Sequence, residues 1–572
     1  MSSLSTSKKL LVALFGLSLV ATACGSSGGS GKASGSSTTS AAATSTTSAA
    51  NVPKGGTVTI GAEQEPDCAD WMGSCGGSSW GYWMMQVGTM PRAFDVLKDA
   101  KGTYQNVASN LLTGEPTLVT SPKQVVTYKI NPKAVWSDGQ PITSSDFKYT
   151  WNQVVTGKDI YDTTGYTNIA SVDDSDPATA VVTFSKPYPD WKALFGGGYG
   201  IFPSHILTGK DRDTETKDGY KWSGGPWMIK SWAKTDSITM VPNPKYWGTQ
   251  PKLDSVVFKF QADTSAEFQA FKSNQVEAIY PQPQLDAVDQ INAGLPGAQK
   301  SINAVTGNFE SIWINNSHAP FDSKAVRQAL AYSIDRDALV KRLFGGIGVD
   351  NALNVINAPI VSDYSDTKAF ADYTLNLDKA KTLLEGDGWT KGADGIYAKA
   401  GKKLTFTMRT TAGNKRRELT EQALQQQLKA AGFDMKINNA AAGDLFGTIL
   451  PQGDFDAGIY AQVLTSLSPS DCSLFCSKNI PTQANKFSGQ DWTRTNVPEL
   501  DKQLEIIDGN LDESARMAAG KAADKIMAEN VVSLPIDPLP NIFLWSNKIL
   551  GPVQDNSVLG PFFNMNEWGV KA

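Results

Sequence analysis

Hydrophobic and polar side chains alternate along residues 56–62, GTVTIGA, which is the period of a strand with one buried face. Residues 125–130 are rich in β-branched and aromatic side chains and stop before Pro132, so they also predict a strand. Asp138 and Gly139 then mark a turn, because glycine accepts the positive φ of a tight reversal. Thr143, with Asp146 three residues on, reads as the start of a helix, an acidic form of the capping box that also suits the positive end of the helix dipole. Further strands are expected at 178–184, 256–260 and 278–279, with a helix at 264–273. Asp335 caps a helix whose Leu339, Val340, Leu343 and Phe344 share one face and which Gly345 stops.

The clearest α/β unit lies at 403–462. It predicts strands at 404–408, 433–437 and 456–460, and helices at 416–431 and 444–450. Leu419, Leu424 and Leu428 are expected to face inward on the longer helix, and Gly432 to stop it. Ligands of open parallel sheets sit outside the carboxyl ends of the strands. That rule points to Arg409, Thr410 and Thr411 after one strand, and to Tyr460, Ala461 and Gln462 after another. Trp80, Tyr82, Trp83, Met84 and Met85 form an aromatic and Met-rich cluster that suits either a core or a binding surface.

Composition narrows the class. The 572 residues exceed a single core and predict two or three domains, each affordable at 41% hydrophobic residues. A formal net charge of −5, with no Lys/Arg-rich run, lacks the electrostatic footprint of a nucleic-acid binder. Lys8 and Lys9 precede an apolar run at 10–20, shorter than the roughly 20 residues of a permanent bilayer span, which predicts a signal peptide over 1–23. The small residues before Cys24 resemble a lipobox, with Cys24 acylated after cleavage; cleavage elsewhere as an ordinary signal peptide is the other reading. Residues 25–51 are almost only Gly, Ser, Ala and Thr, a flexible tether with an end-to-end distance on the order of 30 Å.

Without Cys24, four cysteines remain, an even number for an exported protein. Three pairings are open; proximity favours Cys68 with Cys75 and Cys472 with Cys476. A zinc site is the rival, against which stand the spacings and the want of a helpful His. Residues 77–81 satisfy G-x-S-x-G, with Ser79 as the candidate nucleophile of a secreted hydrolase. That motif requires a strand before it and a reachable His, and the chain has only His205 and His318.

Longer motifs carry a family resemblance. Tyr128, Trp136 to Gly139, Pro141, Thr143, Asp146, Tyr149 and Trp151 fill a pattern of strand, W-S-D-G-x-P-x-T-x-x-D and helix. Gly225, Pro226, Trp227, Asn243, Pro244, Tyr246 and Trp247 fill a second pattern. Asn315, Pro320, Phe321, Val326, Arg327, Ala329, Leu330, Ile334 and Asp335 fill a third. These resemble the family 5 extracellular solute-binding proteins of ABC importers, the dipeptide- and oligopeptide-binding group.

The resemblance implies a two-lobed, hinged α/β fold of the periplasmic-binding-protein type II, with an extra subdomain in lobe I. Expected bounds are 24–52 for the lipidated tether and 53–308 for lobe I, with a subdomain at about 85–205. Lobe II would take 309–535, and 536–572 would return to lobe I. Residues 190–203 resemble the family's helix and return loop. The resemblance further implies a non-enzymatic, cofactor-free, extracytoplasmic monomer that carries a peptide or another small solute to permeases driven by cytoplasmic ATPases. A sensor or envelope regulator with the same cleft is the alternative, as is a non-peptide ligand such as an oligosaccharide, glycolipid or metal chelate. The expected cleft residues are Gln64, Glu65, Trp80, Trp83, Arg409, Tyr460, Gln462 and Asp471. At 467–477 peptide binders carry an Asp that pairs with the ligand's amino group. Here Ser468 precedes Pro469, and Asp471 is the nearest substitute.

Overall fold

The computed structural model describes residues 52–551 and 556–571. The expected signal peptide and Cys24 lie outside the described residues, as does the tether up to Asn51.

A seven-stranded sheet has the order Ala298–Asn303, Asn541–Ser546, Ala278–Ile279, Thr57–Ala62, Ser255–Phe260, Ser237–Pro242 and Trp227–Ala233. Thr57–Ala62 runs parallel to Ser255–Phe260 and to Ala278–Ile279, while the outer pairs are antiparallel. A five-stranded sheet follows the order Asp434–Ile437, Thr405–Arg409, Ala457–Val463, Asn308–Ile314 and Ser533–Asp537. Thr405–Arg409 is parallel to both neighbours, and Asn308–Ile314 is antiparallel to both of its own. The sheet is therefore mixed, with its parallel part where the α/β unit was expected.

A four-stranded antiparallel sheet, Thr117–Val119, Val125–Lys129, Thr179–Phe184 and Ile169–Asp176, shares one core with the seven-stranded sheet. We call these together the first lobe, and the five-stranded sheet with its own core the second. The chain crosses between them twice, from Asn303 to Asn308 and from Asp537 to Asn541. The crossings are stitched side by side: Thr306 Oγ1 donates to the Leu539 carbonyl at 2.9 Å, and Asn308 Nδ2 donates to Asn541 Oδ1 at 2.8 Å. Two short side-by-side linkers of this kind, running in opposite directions, are the arrangement of a hinge.

Local chemistry explains most elements. The helix Ser144–Thr156 starts at the Thr143 box, where Asp146 Oδ2 accepts from the Thr143 amide at 2.9 Å. Asp146 is almost wholly buried, and it also accepts from Trp136 Nε1 and from the Ser204 amide and hydroxyl. Gly139 has φ +91°, as the turn requires. Asp335 caps Arg336–Phe344, whose Leu339, Val340, Leu343 and Phe344 are buried.

Two expectations fail. Leu419 is 37% exposed, and the buried face of Lys415–Ala431 consists of Arg416, Arg417, Thr420, Glu421, Leu424, Leu428 and Ala431. The helix turns its charged first half inward because a buried carboxylate waits for it there. At 190–203 only the short turn Trp191–Ala193 forms, since the run Gly196, Gly197 and Gly198 disfavours a helix.

The lobes meet at several points. Arg516 Nη2 of the second lobe lies 2.6 Å from Asp190 Oδ2 of the first, and Ser468 Oγ donates to the same Asp190 oxygen at 3.0 Å. Lys415 Nζ stands 3.3 Å from Asp263 Oδ2. The arrangement is a closed one.

Candidate functional site

Between the lobes lies a cavity of about 220 Å³, continued by a more open chamber of about 480 Å³, with Glu63 and Gln64 lining both. Those two residues directly follow the strand Thr57–Ala62. The loop after them is closed by the disulfide Cys68–Cys75 and leads into a helix over 79–89 that begins with Ser79 and Trp80. Trp80, Tyr82 and Trp83 line the inner cavity, whereas Met84 and Met85 do not line either chamber and are fully buried. The cluster is thus divided by helix face between the cavity wall and the core.

The second lobe supplies the opposite wall from the end of Ala457–Val463, a strand that runs three residues further than expected because Asn308–Ile314 pairs with all of it. Tyr460 stacks on Trp313, ring centroids 5.2 Å apart, and Gln462 lies beside it on the wall. Ser466, Ser468 and Ser470 follow, then Asp471 at the head of the short helix Cys472–Phe475, which the disulfide Cys472–Cys476 closes. The Asp471 side chain accepts no hydrogen bond among the described residues. Burial, followed by the neighbouring Asp524 and Asp508 carboxylates, holds it well above the usual range. A third wall comes from Tyr161, Asp162, Tyr188 and Tyr199.

Gln64, Trp80, Trp83, Tyr460, Gln462 and Asp471 therefore meet around one cavity. Glu65 faces only the outer chamber and accepts from Trp232 Nε1 at 2.8 Å and the Thr235 amide at 2.9 Å. Arg409 lines neither chamber; its Nη1 donates to the Asn438 carbonyl at 3.2 Å. It ends a strand next to the sheet edge, and the central strand's end reaches the ligand space instead. The guanidinium that does reach the cavity is Arg417.

Arg417 belongs to a buried network beside the hinge. Glu310 Oε1 lies 2.7 Å from Arg416 Nη2 and 2.6 Å from Arg417 Nη2, and Glu310 Oε2 accepts from Arg416 Nη1 at 2.8 Å. Burial pushes the Glu310 carboxyl up, but the two guanidinium groups outweigh it and bring it down to about 2. Arg416 Nη2 also reaches across to Gln282 Oε1 at 3.0 Å, and Gln282 donates to Glu63 Oε1 at 2.9 Å, which also accepts from Trp80 Nε1 at 3.3 Å. A continuous polar chain thus links the second lobe to a wall residue of the first. Reading the sequence missed this network. Its signal was there: three cations, Lys415 to Arg417, open a helix whose dipole disfavours positive charge, so they must pair elsewhere.

Ser79 also lines the cavity, but the turn Ser74–Gly77 precedes it where a nucleophile elbow needs a strand. His205 bonds Asp138 at 2.8 Å and His318 stands near Asp456 at 3.5 Å, and neither lines the cavity.

Residues 109–479 match the family described as bacterial extracellular solute-binding proteins, family 5 Middle. The chain belongs to this family. Its members are binding components of transporters, not enzymes, which removes the hydrolase alternative for Ser79. The oligopeptide-binding protein OppA of Mycobacterium tuberculosis is 26% identical over 467 residues, 80% of this chain and 75% of that protein. The oligopeptide-binding protein AppA of Bacillus subtilis, solved in complex with a nonapeptide, superposes with a TM-score of 0.79 at 21% identity, covering 91% of this chain and 100% of AppA. The periplasmic EDTA-binding protein EppA superposes with a TM-score of 0.75 at 22% identity, covering 91% and 97%. The two-lobed α/β fold of the periplasmic-binding-protein type is thus the fold of this chain.

Proposed function

We propose that this protein captures peptides between its lobes and delivers them to the permease of an ABC importer. One observation carries the reading: Gln64, Trp80 and Trp83 from one lobe and Tyr460, Gln462 and Asp471 from the other enclose a single cavity. A ligand touching both walls does so only in the shut state, and it therefore shifts the population towards closure. Aromatic faces accept varied side chains by area, while amide and carboxyl groups orient the main chain. Asp471, which lacks a hydrogen-bond donor, would take the peptide's ammonium group in place of the Asp absent at Ser468. The names of OppA and AppA support a peptide; that of EppA keeps a metal chelate as the second reading.

In this proposal lobe I takes 53–308, with its subdomain at about 85–205, and 536–572, and lobe II takes 309–535. Cys24 carries a lipid that anchors the monomer outside the cell membrane. Calorimetry against a peptide library, with mass spectrometry of whatever co-purifies, tests the ligand class. Micromolar or tighter binding of peptides supports it. Binding of a chelate or glycan with no response to any peptide overturns it. Asp471→Asn should weaken peptides with a free amino terminus at least about tenfold, the worth of one charge-assisted contact, while N-acetylated peptides change less.

A further inference from the structure

The two chambers carry an unbalanced set of charges. Among the described residues, Glu63, Asp162 and Asp471 line the inner one, against the single cation Arg417. Among the same described residues, Glu63, Glu65, Asp67 and Asp444 line the outer one, against the single cation Lys234. Both cations are already engaged: Arg417 shares the Glu310 carboxylate with Arg416, and its Nη1 donates to Thr411 Oγ1 at 2.9 Å. Lys234 Nζ sits 3.2 Å above the centre of the Trp232 ring and donates to the Asp67 carbonyl at 3.2 Å.

The carboxyl groups are the reverse case. None of Glu63, Glu65, Asp67, Asp162, Asp444 and Asp471 stands in an ion pair among the described residues. Glu65 is held by an indole N–H and a backbone amide, both neutral donors. Glu63 is 5% exposed, lines both chambers, and its Oε2 has no hydrogen-bond partner among the described residues. Burial first, then the Asp444 carboxyl across the lobe junction, push the Asp67 carboxyl up against the pull of Lys234. A positive group placed between these carboxyls opposes that push, and the faces of Trp80, Trp83 and Tyr280 add sites on which a cation rests.

We propose that the cleft selects ligands bearing positive side chains, lysine- and arginine-containing peptides in preference to neutral ones, and that it rejects acidic peptides. The selection arises because carboxyl groups outnumber cations in both chambers, three to one in the inner and four to one in the outer, so a positive side chain finds partners where an acidic one finds mostly other carboxyls. This assignment rests on the peptide reading above and names which peptides satisfy it.

Calorimetry on the full chain with three pentapeptides of equal length tests it: Ala-Lys-Ala-Lys-Ala, Ala-Ala-Ala-Ala-Ala and Ala-Glu-Ala-Glu-Ala, at low and at 0.5 M salt. The lysine peptide should bind at least about tenfold tighter than the alanine peptide, equivalent to about 1.4 kcal/mol. The glutamate peptide should be the weakest, and the gap should narrow in salt, because exposed charges are screened. In the doubly substituted Asp67→Asn, Asp444→Asn protein the ratio of lysine to alanine affinities should fall. Equal affinities, or a preference for glutamate, overturn the selectivity while leaving the peptide reading intact. An unchanged ratio in the double variant overturns the role of the outer chamber. Binding of none of the three peptides refutes the peptide reading and this inference with it.

Discussion

Gly197 offers the sharpest test of closure. A Cβ placed on it would stand 2.2 Å from the Thr465 carbonyl oxygen and 3.5 Å from Ser466 Cβ, across the junction between the lobes. Real Cβ atoms essentially never come closer than 3.0 Å, and the obstructing atom is main chain, so no side chain can rotate aside. Gly197 does not hold the positive φ of its neighbour Gly200, so a side chain there strains the contact and not the local backbone. Relief requires the lobes to part by about 1 Å, and overpacking of this kind costs about 1–3 kcal/mol. The open state has no such contact. The cost therefore falls on closure alone, and it weakens ligand binding by roughly 5- to 150-fold. Gly197→Ala should lie at the low end of that range and Gly197→Val at the high end, with unliganded melting temperatures within about 2 °C of the parent. Calorimetry with a peptide ligand and small-angle scattering with and without it would measure both. Unchanged affinity and unchanged compaction in Gly197→Val would refute the argument, because the bound state would then not bring Gly197 against Thr465.

Arg516→Ala removes the buried partner of Asp190, an ion pair made only when the lobes are shut, and should weaken ligand binding about tenfold or more with little loss of fold stability, since Asp190 regains water on opening. A double-mutant cycle with Asp190→Asn reads the coupling, and additive effects would mean the pair does not act in closure. Glu310→Gln leaves the Arg416 and Arg417 guanidiniums buried without their anion and should destabilise the second lobe by about 3–5 kcal/mol in urea titrations; a change below about 1 kcal/mol would contradict the network.

Stability should also follow pH in a definite direction. Burial pushes Asp491 to about 8 and Asp508, Asp524 and Glu421 to about 7, so the folded chain holds protons that an unfolded chain releases above its ordinary carboxylate values near 4. Stability supplied by these groups falls as pH rises from about 4 towards 8. Glu310, brought down to about 2, has the opposite sign: its contribution is complete above its ordinary value and is lost as pH falls towards 2. Urea midpoints should therefore rise from pH 8 to pH 5 and decline below pH 4, and Asp508→Asn should flatten the upper limb; midpoints that climb between pH 5 and 8 would refute this.

Much of this molecule was legible as sequence because its signals are local. The Thr143 box, the Gly139 turn, the Asp335 cap and the alternation before Gln64 depend on residues within a few positions of one another, and backbone sterics and capping act over that range. The same locality let the end of one strand nominate Tyr460 and Gln462, while the family resemblance nominated Gln64, and all three line the cavity. What tertiary structure alone decided are contacts between residues hundreds of positions apart. Arg417 reaches the cavity and Arg409 does not, Leu419 faces outward because Glu310 draws the charged face in, and Gly197 meets Thr465 where Asp190 meets Arg516. Periodicity along a helix shows that one face differs from another, but not which face the rest of the chain can satisfy. That choice belongs to a carboxylate on a distant strand, whose burial costs too much unless the guanidiniums come to it.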